Sequence, residues 1–328
     1  MSLALTRPSG GGRLLDAVLR WREASILAVA ILLVIYFQAA NANFLSTANL
    51  QTLSQFIAAS AIIACGEVML LICGEIDLSA GQVFALAPFV MVFANQAGLP
   101  LPFAILVGIA AGACVGLLNG LVTVRLRVPS FVTTLGTLYL LNGFTLTISH
   151  GQPATTPGTE AFAAWMGAAG YSEFIWAVAI VLVMHVVLRR TRWGLHTIAT
   201  GGNPIGASEA GIRTGRIKIG NFALTGALAA FTGILEAFRI GSTDPLAGGS
   251  TIMFLAVAAG VIGGTPLAGG AGTILGALIG AIVLGVLKDG FTLQGINAFT
   301  FDMILGAAIL IAMIANVHLP RLRRNAAP

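Results

Sequence analysis

The chain has 328 residues, 57% hydrophobic side chains, only 9% charged residues and a mean hydropathy of +0.94. That much apolar surface excludes a single soluble core and places the chain in a bilayer. Lipid requires every backbone hydrogen bond to be made internally, so the class is all-α and polytopic. The net charge of +5 does not form a nucleic-acid stripe, because the basic residues sit in short clusters beside apolar spans, where topology explains them.

The first 23 residues carry Arg7, Arg13, Arg20 and Arg22 and read as a cytoplasmic N-terminal segment. Ala40-Asn41-Ala42 imitates a signal-peptidase site, but the charged region is long and further spans follow, so the first span is expected to stay uncleaved. Within a transmembrane domain over 24–318, ten spans are predicted: 24–40, 51–73, 78–97, 100–124, 129–148, 172–190, 219–241, 250–264, 270–288 and 299–317. A short tail, 319–328, follows. With the N-terminus inside, 15 of the 17 Lys and Arg fall on the cytoplasmic side and only Arg239 and Lys288 do not. Both termini are then cytoplasmic.

Glu67 lies within the second span and has no obvious partner in sequence. It is either protonated or facing a polar cavity. After that span comes Gly74-Glu-Ile-Asp-Leu-Ser-Ala-Gly81, with Glu75, Asp77 and Ser79 between two apolar runs. An ionisable group near the bilayer centre costs roughly 2.5 to 3.5 kcal/mol. Two readings answer that cost: a broken helix whose polar turn lines a pathway for hydroxylated solutes, or Asp77 as the N-cap of the third span with Glu75 at the interface. The glycines at 108, 112, 116 and 120 form a smooth stripe for close helix packing. Asn119, Asn142 and Thr133 to Thr134 are polar groups inside spans, suited to hydrogen bonds between helices or to a solute hydroxyl. Cys65, Cys73 and Cys114 all fall in apolar segments without C-x-x-C spacing, and read as small buried hydrophobes.

Thr191 to Lys218 is the long Arg-rich polar break. Within it, Asn203 suits an N-cap, Pro204 the first helical position and Gly211 the left-handed residue past the end, which defines a short rigid helix including Ala207 and Glu209. Such an element on a membrane protein is expected to engage a partner. Glu236 and Arg239 stand three apart on one helix face and suggest an ion pair. Lys288-Asp289 is expected to cap the ninth span, and Asp302 to begin the tenth as a charge favourable to its dipole.

Two features suggest an inverted repeat. Gly74 to Gly81 matches Gly241-Ser-Thr-Asp-Pro-Leu-Ala-Gly248 at four of eight positions, and the glycines at 108 to 120 answer those at 272, 276 and 280. There is no G-x-x-x-x-G-K-[ST] and neither Lys follows a Gly, so no phosphate loop can form. His150, His185, His196 and His318 are scattered, which offers no metal site, and no G-x-S-x-G occurs.

These motifs resemble the permease subunits of bacterial ATP-binding-cassette importers, in the ribose-type branch. GEIDLSAG resembles that branch's G-G-I-D-L-S-x-G signature, Gly194 to Gly211 its cytoplasmic coupling region, and Gly263 to Gly270, GGTPLAGG, its late glycine-rich turn. Glu75 departs from the signature, where the branch has Gly. The resemblance implies a bacterial inner-membrane permease with no bound cofactor of its own, ATP being held by separate cytoplasmic ATPase subunits. It further implies an external solute-binding protein, a second permease copy, and a sugar or polyol as solute. An ion-coupled secondary transporter using Glu67, Asp77 or Asp302 is the competing reading.

Overall fold

The computed structural model describes residues 23–297, together with 300, 303, 304, 306, 307 and 310. Its helices, numbered in chain order, are α1 (Ala24–Ala40), α2 (Thr47–Ile72), α3 (Ala80–Gln96), α4 (Leu101–Arg125), α5 (Ser130–Ile148), α6 (Glu160–Ala163), α7 (Ser172–Arg190), α8 (Arg192–Gly202), α9 (Pro204–Glu209), α10 (Thr214–Ile240), α11 (Gly249–Ile262) and α12 (Ile274–Leu293). Two strands of two residues each, β1 (Ala154–Thr155) and β2 (Ser242–Thr243), pair antiparallel.

Nine of the ten predicted spans coincide with helices. The tenth, with Asp302, lies largely outside the described residues, as do the N-terminal arginines and the basic tail. By length and hydropathy, α2, α4, α5, α7, α10 and α12 can each cross a bilayer, whereas α1, α3 and α11 are shorter.

Several expectations need correction. The ninth span is displaced towards the C-terminus, so Lys288 and Asp289 do not cap it. They sit inside α12, where Asp289 accepts a 2.6 Å hydrogen bond from Asn49 and Lys288 lies 3.6 Å over the Phe56 ring. The polar break at 191–218 is not a loop around one small helix, because α8 fills its first half and α10 starts at Thr214. Cys65 and Cys73 are buried as expected, but Cys114 is exposed on the outer face of α4. Asp77 is not the N-cap of α3; Ser79 holds that position.

The central element is α2, apolar around its whole circumference and therefore buried on every side: the window that would span lipid is 89% buried. Its C-terminal turn meets the start of α10, since Asn221 donates to the Met69 carbonyl at 3.1 Å. A Cβ on Gly66 would lie 2.8 Å from Thr225. The two helices therefore run antiparallel. They are also counterparts in the internal repeat, because α2 and α10 end at Ile72 and Ile240, and α4 and α12 at Arg125 and Leu293, both at an offset of 168. Gly74 and Gly241 end α2 and α10 in the same left-handed conformation, at φ 72° and 76°. Asp77 and Asp244 then accept 2.9 Å bonds from the backbone N–H two residues on. The repeat is inverted, as the motif match suggested. The glycine runs, however, are not equivalent. That of α4 rests on α10, where a Cβ on Gly116 would meet the Phe222 carbonyl oxygen at 2.1 Å. That of α12 rests on α11, with Gly280 against the Ala259 carbonyl.

Candidate functional site at the meeting of two half-helices

Neither α3 nor α11 begins at a membrane surface. Asn221 of α10 marks the level at which α2 ends, through a 3.5 Å contact with Cys73. Gly233 lies twelve residues further along α10, about 18 Å at 1.5 Å per residue, and a Cβ there would strike the Phe84 carbonyl at 2.0 Å. Phe84 is only four residues into α3, so the segment 73–79 climbs back beside α2 and α3 starts near mid-depth. The repeat does the same from the opposite side. A Cβ on Gly81 would stand 1.8 Å from the Gly249 carbonyl oxygen, so the N-terminal turns of α3 and α11 touch backbone to backbone. Each brings the positive end of its helix dipole to that point.

On one side of that meeting point, two adjoining clefts of about 350 and 210 Å³ share Phe84, Glu236 and Ala247 as a wall. The larger reaches down to Gly248 and Thr251 at the tip of α11, with Gln55 and Phe56 of α2 opposite. Arg239 crosses this region. It pairs with Glu236, as the three-residue spacing suggested, and approaches Glu173 of α7 at 3.5 Å.

Beneath the helix tips lies a buried polar cluster that holds four of the six expected pathway residues. Glu67, Asp77 and Ser79 are wholly buried and Asn119 nearly so. One carboxylate oxygen of Asp77 accepts from the Ser79 hydroxyl at 2.6 Å and from Asn119 at 3.4 Å. Asn119 also donates to the Ser79 hydroxyl at 2.9 Å and accepts from Thr137 of α5 at 2.6 Å. The Asp77 N–H points at Glu67, 3.4 Å away. One oxygen each of Glu67 and Asp77 has no partner among the described residues. Glu67 faces the re-entrant turn.

The other two expected residues lie elsewhere. Glu75 is half-buried at the far end of the turn, in a 2.5 Å ion pair with Lys218 beside a cavity of about 400 Å³. Asn142 sits on α5, five residues beyond Thr137 and therefore on another face of the helix, outside the cluster. Gln55, Thr137 and Lys218 were missed. Thr and Gln inside apolar runs carry no distinguishing spacing, and Lys218 was assigned to a loop when it belongs to α10.

The family model for "Branched-chain amino acid transport system / permease component" matches residues 48–313. The chain belongs to this family. It is 36% identical over 314 residues to the xylose/arabinose import permease protein XylH of Sulfolobus acidocaldarius, covering 93% of this chain and 87% of that one. It is 32% identical to the ribose import permease protein RbsC of Escherichia coli K12, over 95% and 98% of the two chains. Against the galactose/methyl galactoside import permease protein MglC of the same strain, identity is 34% over 88% and 91%. No solved structure matches it.

The permease carries its small exposed helix as the sequence motif specifies. Asn203 accepts from the Gly206 N–H at 2.9 Å, Pro204 takes the first position, and Gly211 closes the helix at φ 85°. Ala207 points inward; Glu209 and Ile205 are exposed, Ile205 by 73%. This helix is carried on α8, which is fixed to the end of α2. A Cβ on Gly201 would meet the Ile72 carbonyl at 1.6 Å. Asn221 accepts from the Trp193 indole at 2.8 Å and donates to Thr197 at 3.3 Å and to Met69, which ties α8, α2 and α10 together.

Proposed function

We propose that the chain is the transmembrane subunit of an ATP-binding-cassette importer for a sugar or polyol, and that the solute crosses where the tips of α3 and α11 meet. One observation carries this reading. Two inverted half-helices converge at mid-depth, with a cleft carrying Gln55, Glu236 and Arg239 on one side and a polar cluster on the other. In membranes, irregular backbone at that depth is tolerated where it is buried in protein or lines a water-filled cavity, and half-helices that meet at mid-depth are a mark of transporter sites. Glu67, Asp77, Ser79 and Asn119 would form the inner wall of the route, Glu75 its lower exit, and Gln55, Glu236 and Arg239 its mouth. The relatives' names, each a sugar import permease, support the solute class.

The rest of the assembly follows from the same reading. Asn203 to Gly211, with Ala207 packed inward and Glu209 exposed, would seat on a cytoplasmic ATPase that binds and hydrolyses the ATP. An external binding protein would deliver the solute, and a second permease copy would complete the complex. The chain lies in the inner membrane with 191–218 and both termini inside.

The test is uptake by proteoliposomes of this chain with and without its ATPase and binding protein. Accumulation that needs all components and enclosed ATP supports the reading. Accumulation by the chain alone under a proton or sodium gradient overturns it and selects ion coupling, for which the adjacent buried carboxylates of Glu67 and Asp77 would be the site.

A further inference from the structure

The break between α9 and α10 leaves a second concavity, away from the solute route. It has a volume of about 420 Å³ and is lined by Val124 and Arg125 at the end of α4, by Ser208, and by Arg213, Arg216 and Ile219 at the start of α10. Three arginines are among its lining residues and no carboxylate is. Among the described residues no salt bridge involves Arg125, Arg213 or Arg216. Uncompensated arginines presenting several N–H donors each are suited to phosphate oxygens.

The walls are graded. Arg125 and Val124 end α4, and the residues two turns earlier on the same faces, about 10 Å into the membrane, are Leu118 and Leu117. Leu118 is 61% and Leu117 41% exposed. An apolar track therefore runs from the basic concavity along the outer surface of α4, next to Val124 and Ile219. A free anion would use only the lower part of this site, whereas a phospholipid would use both.

We propose that this concavity binds the phosphate headgroup of an anionic phospholipid, with an acyl chain lying along Leu117 and Leu118. The lipid would bridge the end of α4 and the start of α10, the helix that leaves the exposed coupling segment. Binding does not depend on which solute is carried, and Ser208 and Gly211 put the site beside the segment proposed to meet the ATPase.

The test uses the full-length permease, delipidated in a neutral detergent and titrated separately with phosphatidylglycerol, phosphatidylcholine and inorganic phosphate. Thermal unfolding and mass spectrometry of the intact complex are the readouts. Phosphatidylglycerol should raise the unfolding temperature and remain bound where phosphatidylcholine does not. Each of Arg125→Gln, Arg213→Gln and Arg216→Gln should weaken it about fivefold, the contribution of one basic residue near an anionic headgroup. Leu118→Gln, which leaves the cations in place, should weaken the lipid but not any response to inorganic phosphate. Equal binding of phosphatidylcholine overturns the proposal, as does full reproduction of the shift by inorganic phosphate. Unchanged lipid binding in the arginine variants with loss of the partner ATPase on co-purification would make the cleft a protein contact, and would overturn it as well.

Discussion

Asn119 is the hub of the buried polar cluster, since its amide donates to Ser79 and Asp77 and accepts from Thr137. Asn119→Ala takes one hydrogen bond each from Ser79, Asp77 and Thr137 in a buried space, although each of them keeps another partner. The expected loss is about 1 to 3 kcal/mol, read as a lower unfolding temperature in detergent together with lost uptake. Thr137→Val removes a single bond between helices, along with one to its own helix at Thr133, and should cost about 0.6 kcal/mol, the average for such interhelical bonds in membranes. Equal unfolding temperatures for Asn119→Ala and the parent would show that the cluster does not hold the fold. At the lower exit, Glu75 and Lys218 are mostly shielded from water. A double-mutant cycle with Glu75→Gln and Lys218→Met should give a coupling of about 1 kcal/mol between the sites. Additive effects would mean that the pair contributes nothing.

Among the elements, α9 is the most legible from sequence and α3 the least. Asn203, Pro204 and Gly211 are local signals, each acting within one helical turn, so the small helix could be placed to the residue. Asn203→Ala should cost about 1 kcal/mol of local helix stability. Because α9 is exposed, global unfolding should stay unchanged while solute-stimulated ATP hydrolysis by the partner falls. Parent-like hydrolysis would remove α9 from the coupling route. By contrast, the depth at which α3 begins depends on what Gly81 and Phe84 touch, namely Gly249 and Gly233, well over a hundred residues away. Composition showed that Asp77 sits between apolar runs but could not choose between a cap and a broken helix. The displaced ninth span has the same cause: Lys288 and Asp289 look like a terminus until Phe56 and Asn49 are seen to receive them. Gly81→Val would force a side chain into the Gly249 carbonyl. Such overpacking costs about 1 to 3 kcal/mol or more, and the variant should assemble poorly and fail to transport; normal uptake would refute the contact.

For the whole molecule, the inverted repeat was legible as four shared residues in eight and as a common glycine pattern, and the first of these is structural. The α2 and α10 termini follow an offset of 168, and the left-handed glycines and the aspartate turns one of 167. The glycine runs match in sequence but serve different partners. If the two halves move against each other during transport, β1 and β2 are a point where that movement can be arrested, because Thr155 of one half pairs with Ser242 of the other. With Cys114 replaced by Ser, a Thr155→Cys/Ser242→Cys disulfide should stop uptake and release it on reduction. Full uptake in the oxidised state would show that this strand pair stays closed throughout the cycle.

Because Gly81 and Gly249 meet without a side chain between them, the backbones of the two half-helices lie in direct contact at the centre of the permease. A displacement of either half against the other would have to part this glycine-to-glycine seam.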